Sequence, residues 1–146
     1  MSTIFKADFK SALFALLLFP LLAVAQEVKV ISITDGDTVK VLTQDKQQIK
    51  VRLAEIDTPE RMQPYGKKAK QALSSMVFGK TVDLHTVTID RYGRTVGHLF
   101  VGSLNVNKEM VRTGNAWVYR RYMKDKSLLA DEDYARANKL VFVGFA

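Results

Sequence analysis

An α+β fold, mainly β, in which five short strands close into a small barrel completed by about three helices, is what this 146-residue sequence predicts. Three observations carry that prediction. Apolar residues alternate with polar ones in five short runs, a helical stripe interrupts them after the third, and two more helical stretches follow the fifth. A segment at the N-terminus stands apart from this pattern and reads as a cleavable signal peptide preceding the fold.

Residues 1–25 carry the marks of that signal. Lys6 and Lys10 precede an apolar run from Ala12 to Val24, and Ala23-Val24-Ala25 is the small-x-small pattern a signal peptidase prefers. The run is short for a membrane-spanning helix, and Pro20 interrupts it. The mature domain is therefore expected over residues 26–146, periplasmic or secreted, with no stable membrane association after cleavage. That length suits one core, and no repeat or linker marks a second domain. The chain has no cysteine, which excludes a disulfide scaffold in an oxidising compartment. Its formal charge is +7, lowered by one unit when Lys6, Lys10 and Asp8 leave with the signal. A basic exported domain suits a polyanionic partner, although a surface kept soluble by charge has the same composition.

From Glu27 to Glu55 the period is two: Val28 and Val30, then Ile31 and Ile33, then Val39 and Val41 after Asp35-Gly36, then Ile49, Val51 and Leu53 after a polar turn at Gln44 to Gln47. This predicts a three-stranded meander with Arg52 on the outer face of its third strand. From about Gln63 to Phe78, Ala69, Ala72, Leu73, Met76 and Val77 form a helical stripe that Gly79 ends. Thr81 to Ile89 and Thr95 to Val101 flank the turn Asp90 to Gly93 as a hairpin. Asn107 reads as the N-cap of a short helix ending at Gly114, and a last helix is expected from Ser127 to about Leu140. Five strands with a helix after the third suit an oligonucleotide/oligosaccharide-binding barrel (OB-fold), whose central strands present a ligand face.

Three polar clusters lie along this frame. Asp35-Gly36-Asp37-Thr38 is a favoured hairpin turn or, equally, a source of carboxylates for a hard cation. An EF-hand is excluded, because the twelfth position counted from Asp35 is Lys46 where a bidentate glutamate is required. Asp57-Thr58-Pro59-Glu60 follows the third strand, and reads either as a helix start or as a second acid brought to the rim that carries Asp37. Asp90-Arg91-Tyr92-Gly93-Arg94 is a basic turn from which Arg94 can join Arg52 in gripping a phosphate, since guanidinium forks match phosphate oxygens.

The strings Asp-Gly-Asp-Thr, Arg-Leu-x-x-Ile-Asp-Thr-Pro-Glu and Asp-Arg-Tyr-Gly-Arg, in that order and spacing, resemble the thermonuclease family, also called staphylococcal-nuclease-like. The resemblance runs from about Val28 to Lys139. It implies a Ca²⁺-dependent, sugar-nonspecific nuclease that hydrolyses DNA and RNA to 3′-phosphate products. By the same resemblance the metal ligands are Asp37, Asp57 and the main-chain carbonyl of Thr58, and the catalytic residues are Arg52, Glu60 and Arg94. Tyr92, Trp117 and Tyr119 match positions lining the nucleotide pocket, though core packing is an equally good reading of these aromatics.

Lys67, Lys68, Arg91, Arg120 and Arg121 are the cations placed to track a nucleic-acid backbone, with single strands favoured because aromatic faces stack on exposed bases. His85 and His98 show no metal-ligand spacing and read as structural or exposed. A monomer is the simplest expectation. The competing reading is a catalytically silent barrel that binds single-stranded nucleic acid, since fold alone does not determine function. Two features depart from the family: the loop from Glu60 to Tyr65-Gly66 is short, and the chain ends in Val141-Phe142-Val143-Gly144-Phe145-Ala146 instead of the usual Gly-Leu-Trp-like segment.

Overall fold

A computed structural model describes residues 25–140; the expected signal peptide, apart from Ala25, and the tail from Val141 to Ala146 lie outside the described residues. Strands β1 (Gln26–Asp35), β2 (Thr38–Leu42) and β3 (Gln48–Leu53) form the meander that the alternation predicts. The apolar phase of β1 shifts between Val30 and Ile31, and there its register slips: Val30 faces Val41 while Ser32 faces Lys40. Such a bulge bends the strand and increases its twist.

A two-residue strand, β4 (Ile56–Asp57), follows, then helix α1 (Gly66–Val77). The helix begins three residues later than the sequence pattern suggests. Tyr65 lies in the left-handed region at φ 64°, so no helical turn extends back through it. The run Thr58 to Glu60, just past β4, is consequently a loop and not a helix start. Strands β5 (Thr81–Ile89) and β6 (Thr95–Val101) form the expected hairpin, followed by β7 (Leu104–Asn105), helix α2 (Val106–Arg112) and β8 (Trp117–Val118). A 3₁₀ turn (Arg120–Tyr122) and helix α3 (Ser127–Ala137) complete the described chain. The last helix stops short of Leu140.

The five longer strands close in the order β1-β2-β3-β6-β5 and back to β1. Every pairing in this ring is antiparallel except the seam, where β3 and β6 run parallel with Val51 opposite Thr95 and Arg52 opposite Val96. Val30, Val39, Val41, Val51, Leu53, Leu84 and Leu99 are fully buried within the core. Helix α1 adds Ala69, Leu73 and Val77, and α2 adds Val106, Met110 and Val111. Each fully buried Val, Leu or Met contributes about 1.5–3 kcal/mol, which is how a chain without disulfides holds together.

Asn107 is not the cap of α2. Asn105 is, its side chain accepting the Lys108 N–H at 3.2 Å. Asn107 sits two residues inside the helix, fully buried, and pins α2 to the seam. Its amide nitrogen donates to the carbonyls of Ala54 and Gly97, both at 3.1 Å, and its Oδ1 accepts the Leu99 N–H at 3.2 Å. Removing the side chain strands three buried backbone groups, each costing about 1–3 kcal/mol. Asn107→Ala is therefore expected to destabilise the domain by about 3–5 kcal/mol, read as a fall in the urea midpoint at unchanged slope.

Arg120, one of the cations expected along a nucleic-acid backbone, has an ion-pair partner within the chain. Its Nη2 lies 2.5 Å from the carboxylate of Glu132, a residue only 2% exposed on α3, which also accepts the Val118 N–H at 3.1 Å. This pair fastens α3 to β8.

Candidate active site

The Asp35-to-Thr38 turn is shaped by packing. A Cβ on Gly36 would stand 2.6 Å from the Ala69 Cβ, so glycine is needed here because α1 presses on the turn, and not for a left-handed backbone. That close approach fixes the next residue, Asp37. Its carbonyl accepts the Leu53 N–H at 2.8 Å, and its Oδ1 accepts the Thr38 hydroxyl at 2.8 Å. The turn thus holds a nearly buried carboxylate beside the end of β3.

Asp57 reaches the same place from β4, whose pairing with β8 sets it opposite Trp117. Between the two acids lies Arg52. Its Nη1 donates to the carbonyls of Leu53 at 2.7 Å and Ile56 at 2.9 Å, while Nη2 stands 3.3 Å from Asp37 Oδ2 and 3.2 Å from Asp57 Oδ1. One guanidinium nitrogen is therefore shared by both carboxylates. Burial pushes the Asp57 carboxyl above its ordinary range; Arg52 opposes that rise, and the neighbouring Asp37 reinforces it.

Such a pair of acids suits a divalent cation. Both offer hard oxygen donors, and the adjoining Thr58 Oγ1 is a buried polar atom with no hydrogen-bond partner. Among the described residues no group of three or more His, Cys, Asp or Glu side chains converges, so an ion held here would draw its other ligands from main-chain carbonyl and water.

The second arginine comes from the β5–β6 turn. Asp90 organises it: its carboxylate accepts the N–H groups of Tyr92 at 2.9 Å and Arg94 at 3.0 Å, and Arg94 Nε at 2.7 Å. Burial raises the Asp90 carboxyl, but the hydrogen bonds from Arg94 and Tyr92 outweigh it and hold the group below its usual value. Gly93, at φ 78°, allows the chain to turn back into β6. Arg91 and Arg94 both lie over the Tyr92 ring, with centroid distances of 4.9 and 5.4 Å, and Arg91 also donates to the Tyr92 hydroxyl at 2.7 Å. Because the seam pairs Val51 with Thr95, Arg94 emerges next to the strand carrying Arg52.

These groups open onto a cavity of about 740 Å³ walled by Arg52, Asp57, Arg91, Tyr92, Arg94 and Tyr119. Of the remaining sequence-predicted residues, Asp37 touches the site through Arg52, and Thr58 follows Asp57 directly. Glu60 is exposed, three residues beyond Asp57 and outside the cavity wall, and its N–H donates to Gln63 Oε1 at 2.7 Å. The Glu60 carbonyl is covered so closely by Gly66 that a Cβ there would stand 2.0 Å from it. Trp117 is half-buried in β8 and does not contribute to the wall.

Sequence reasoning missed other wall residues: Tyr122, Glu55 and His98, with Asp90 as organiser of the turn. Tyr122 had a legible signal, lying three residues from Tyr119 in a 3₁₀ turn where such side chains align. Their rings meet edge to face at 4.9 Å. His98 is not idle, because its Nε2 lies 3.1 Å from Glu55 Oε2. Burial lowers the His98 pKa below its ordinary value, partly offset by the Glu55 charge.

Comparison with known proteins bears on this arrangement. The family model described as staphylococcal nuclease homologue matches residues 50–142, more than half of the chain. A Haemophilus influenzae protein described as an uncharacterized endonuclease is 42% identical over 126 residues, covering 84% of this chain and 71% of its own length. The chain belongs to the staphylococcal nuclease homologue family. Other relatives of this staphylococcal nuclease homologue include a Shigella flexneri protein named micrococcal nuclease, 39% identical over 123 residues and covering 77% of this chain and 70% of its own. An Escherichia coli protein named ParB is 42% identical over 123 residues, with 77% and 69% coverage.

Proposed function

We propose that this staphylococcal nuclease homologue is an exported, Ca²⁺-dependent nuclease that cuts DNA and RNA alike and leaves 3′-phosphate ends. Its family membership makes it a hydrolase of phosphodiester bonds. The finer reading rests on one observation above all: Asp37 and Asp57 converge on Arg52, and Arg52 shares a cavity with Arg94. Asp37, Asp57 and the Thr58 carbonyl would hold the ion, whose chemistry there is to neutralise and orient the phosphate. Arg52 and Arg94 bind the phosphate oxygens and stabilise the charge that builds on them. Glu60 takes the proton of the attacking water.

Around that centre, Tyr92 and Tyr119 offer faces on which unpaired bases stack, which favours single-stranded substrate, and Arg91 supplies further positive charge. Export rests on the Lys6-to-Ala25 signal pattern, to a periplasm or beyond it. Among the described residues no helix is long and apolar enough to cross a membrane. A monomer suffices for this chemistry, since every group named comes from one chain.

The deciding experiment digests denatured DNA and RNA with mature protein in Ca²⁺ and in chelator. Cleavage in Ca²⁺ alone is expected, with 3′-phosphate ends; intact nucleic acid under both conditions overturns the reading. In parallel, Ca²⁺ at about a hundred times its Kd is expected to stabilise the fold by about 2.7 kcal/mol, read as a rise in Tm. An unchanged Tm at saturating Ca²⁺ would count against Asp37 and Asp57 as ligands.

A further inference from the structure

Glu55 is neither an acid of the cation pair nor a phosphate ligand, yet four bonds tie it to three other parts of the cavity surround: Tyr119, the Lys124-Asp125 pair and His98. It sits in the turn between β3 and β4 with φ 67°, a left-handed conformation that is rare for a residue with a side chain. Such a conformation persists where its surroundings hold it. Here they do. The Glu55 carbonyl accepts the Tyr119 N–H at 2.8 Å. Its Oε1 accepts the N–H groups of both Lys124 and, at 2.8 Å, Asp125. Its Oε2 meets His98 Nε2 at 3.1 Å, and the glutamate side chain is only 9% exposed.

These bonds grip both ends of one segment. The stretch from Tyr119 to Asp125 arches from β8 to α3 and carries Tyr119 and Tyr122 on the cavity wall. Within the arch a single turn of 3₁₀ geometry supplies local support, with the Tyr122 N–H bonding the Tyr119 carbonyl at 2.9 Å. Met123 packs the arch against the core. Its hydrogen bonds to the barrel near the cavity run to Glu55, to the main-chain carbonyl at the Tyr119 end and to the carboxylate at the Lys124-Asp125 end. His98, on β6, holds the carboxylate from behind and has no partner on Nδ1. Its Nε2 therefore carries the proton and donates to Glu55, which leaves Nδ1 as a lone-pair acceptor and avoids an unsatisfied buried donor.

We propose that Glu55 is a positioning residue for substrate, fixing the arch so that Tyr119 and Tyr122 stand where a nucleotide base stacks. The proposal rests on the nuclease reading for its substrate class, and it goes beyond that reading in assigning the affinity for the base to a residue that does not touch it. Fixing the wall before binding spares the ordering cost that a loose loop would meet on association.

The test compares wild type, Glu55→Ala, Glu55→Asp, Glu55→Gln and the pair Tyr119→Ala/Tyr122→Ala. Each is assayed for kcat and KM on single-stranded DNA with Ca²⁺, and for binding of a fluorescein-labelled oligonucleotide in chelator. Glu55→Ala is expected to raise KM and the oligonucleotide Kd about tenfold while kcat stays within about twofold. Glu55→Gln keeps the Oε1 acceptor and should restore most of the affinity. Glu55→Asp, too short to span the gap, should behave like the alanine variant and serves in its place if that protein does not fold.

Adding Glu55→Ala or Glu55→Asp to the double tyrosine variant should shift KM no further, because the wall it positions is gone. A fall in kcat at constant KM, or full additivity with the tyrosine changes, overturns the proposal. If wild type binds the oligonucleotide but leaves DNA intact, the nuclease reading fails, and the binding arm alone decides the role of Glu55.

Discussion

Glu60→Gln is expected to lower kcat on single-stranded DNA by about 10²–10⁴-fold, the range a positioned general base contributes. The substitution is nearly isosteric; it exchanges the anionic carboxylate for a neutral amide and so removes the ability to accept a proton. Glu60 is exposed, and its backbone is held from two sides by the Gln63 side chain and by Gly66 at the start of α1. The side chain therefore projects from a fixed main chain, so the amide should occupy the same volume without disturbing the fold. Ca²⁺-dependent stabilisation and oligonucleotide binding should stay at wild-type levels. Single-turnover cleavage at saturating Ca²⁺ is the measurement, and a variant that cuts within about tenfold of wild type removes Glu60 from the chemistry.

Arg52→Lys is expected to cost about 10²–10³-fold in kcat/KM, the loss seen when one preorganised donor to a developing anion is removed. Lysine keeps the charge but offers no planar fork. Arg52 divides its two terminal nitrogens between the carbonyls of Leu53 and Ile56 on one side and both acids on the other. An ammonium group satisfies that geometry only in part. The same change should lower Tm in chelator more than in Ca²⁺, because the ion takes over the neutralisation of Asp37 and Asp57. The comparison of the two melting curves separates this from a general loss of stability: an equal drop under both conditions would mean that Arg52 does not balance the acids.

The parts of the fold that the sequence made legible were those governed by local periodicity. Alternation marked the three-stranded meander and the Asp90-to-Gly93 turn marked the second hairpin; the bulge in β1 was not foreseen, although it falls at the phase change between Val30 and Ile31. The parts that were not legible depend on contacts between distant residues. Strands β4 and β8 are two residues each, too short to show a period, yet their pairing brings Asp57 into the site. Asn105 and Asn107 are both good caps by type; only the seam, waiting with three buried backbone groups, decides which one turns inward.

At the site, motifs pointed to Asp37, Arg52, Asp57 and Arg94, and these the fold draws together around one guanidinium and one cavity. Arg120 could not be told from Arg121 by composition, because its pairing with Glu132 spans twelve residues. Glu55 was invisible for the same reason. Its partners lie about seventy residues away, at Lys124 and Asp125.

The parallel seam has a bearing on when during synthesis the groove is completed. Both acids and the first arginine are translated by residue 57, but the groove they serve exists only once residues 95–97 lie alongside residues 51–53. A nascent polypeptide can thus hold both acids and the first arginine while the second arginine, still to come, has no groove to join. Potency arrives late in synthesis, when the barrel shuts.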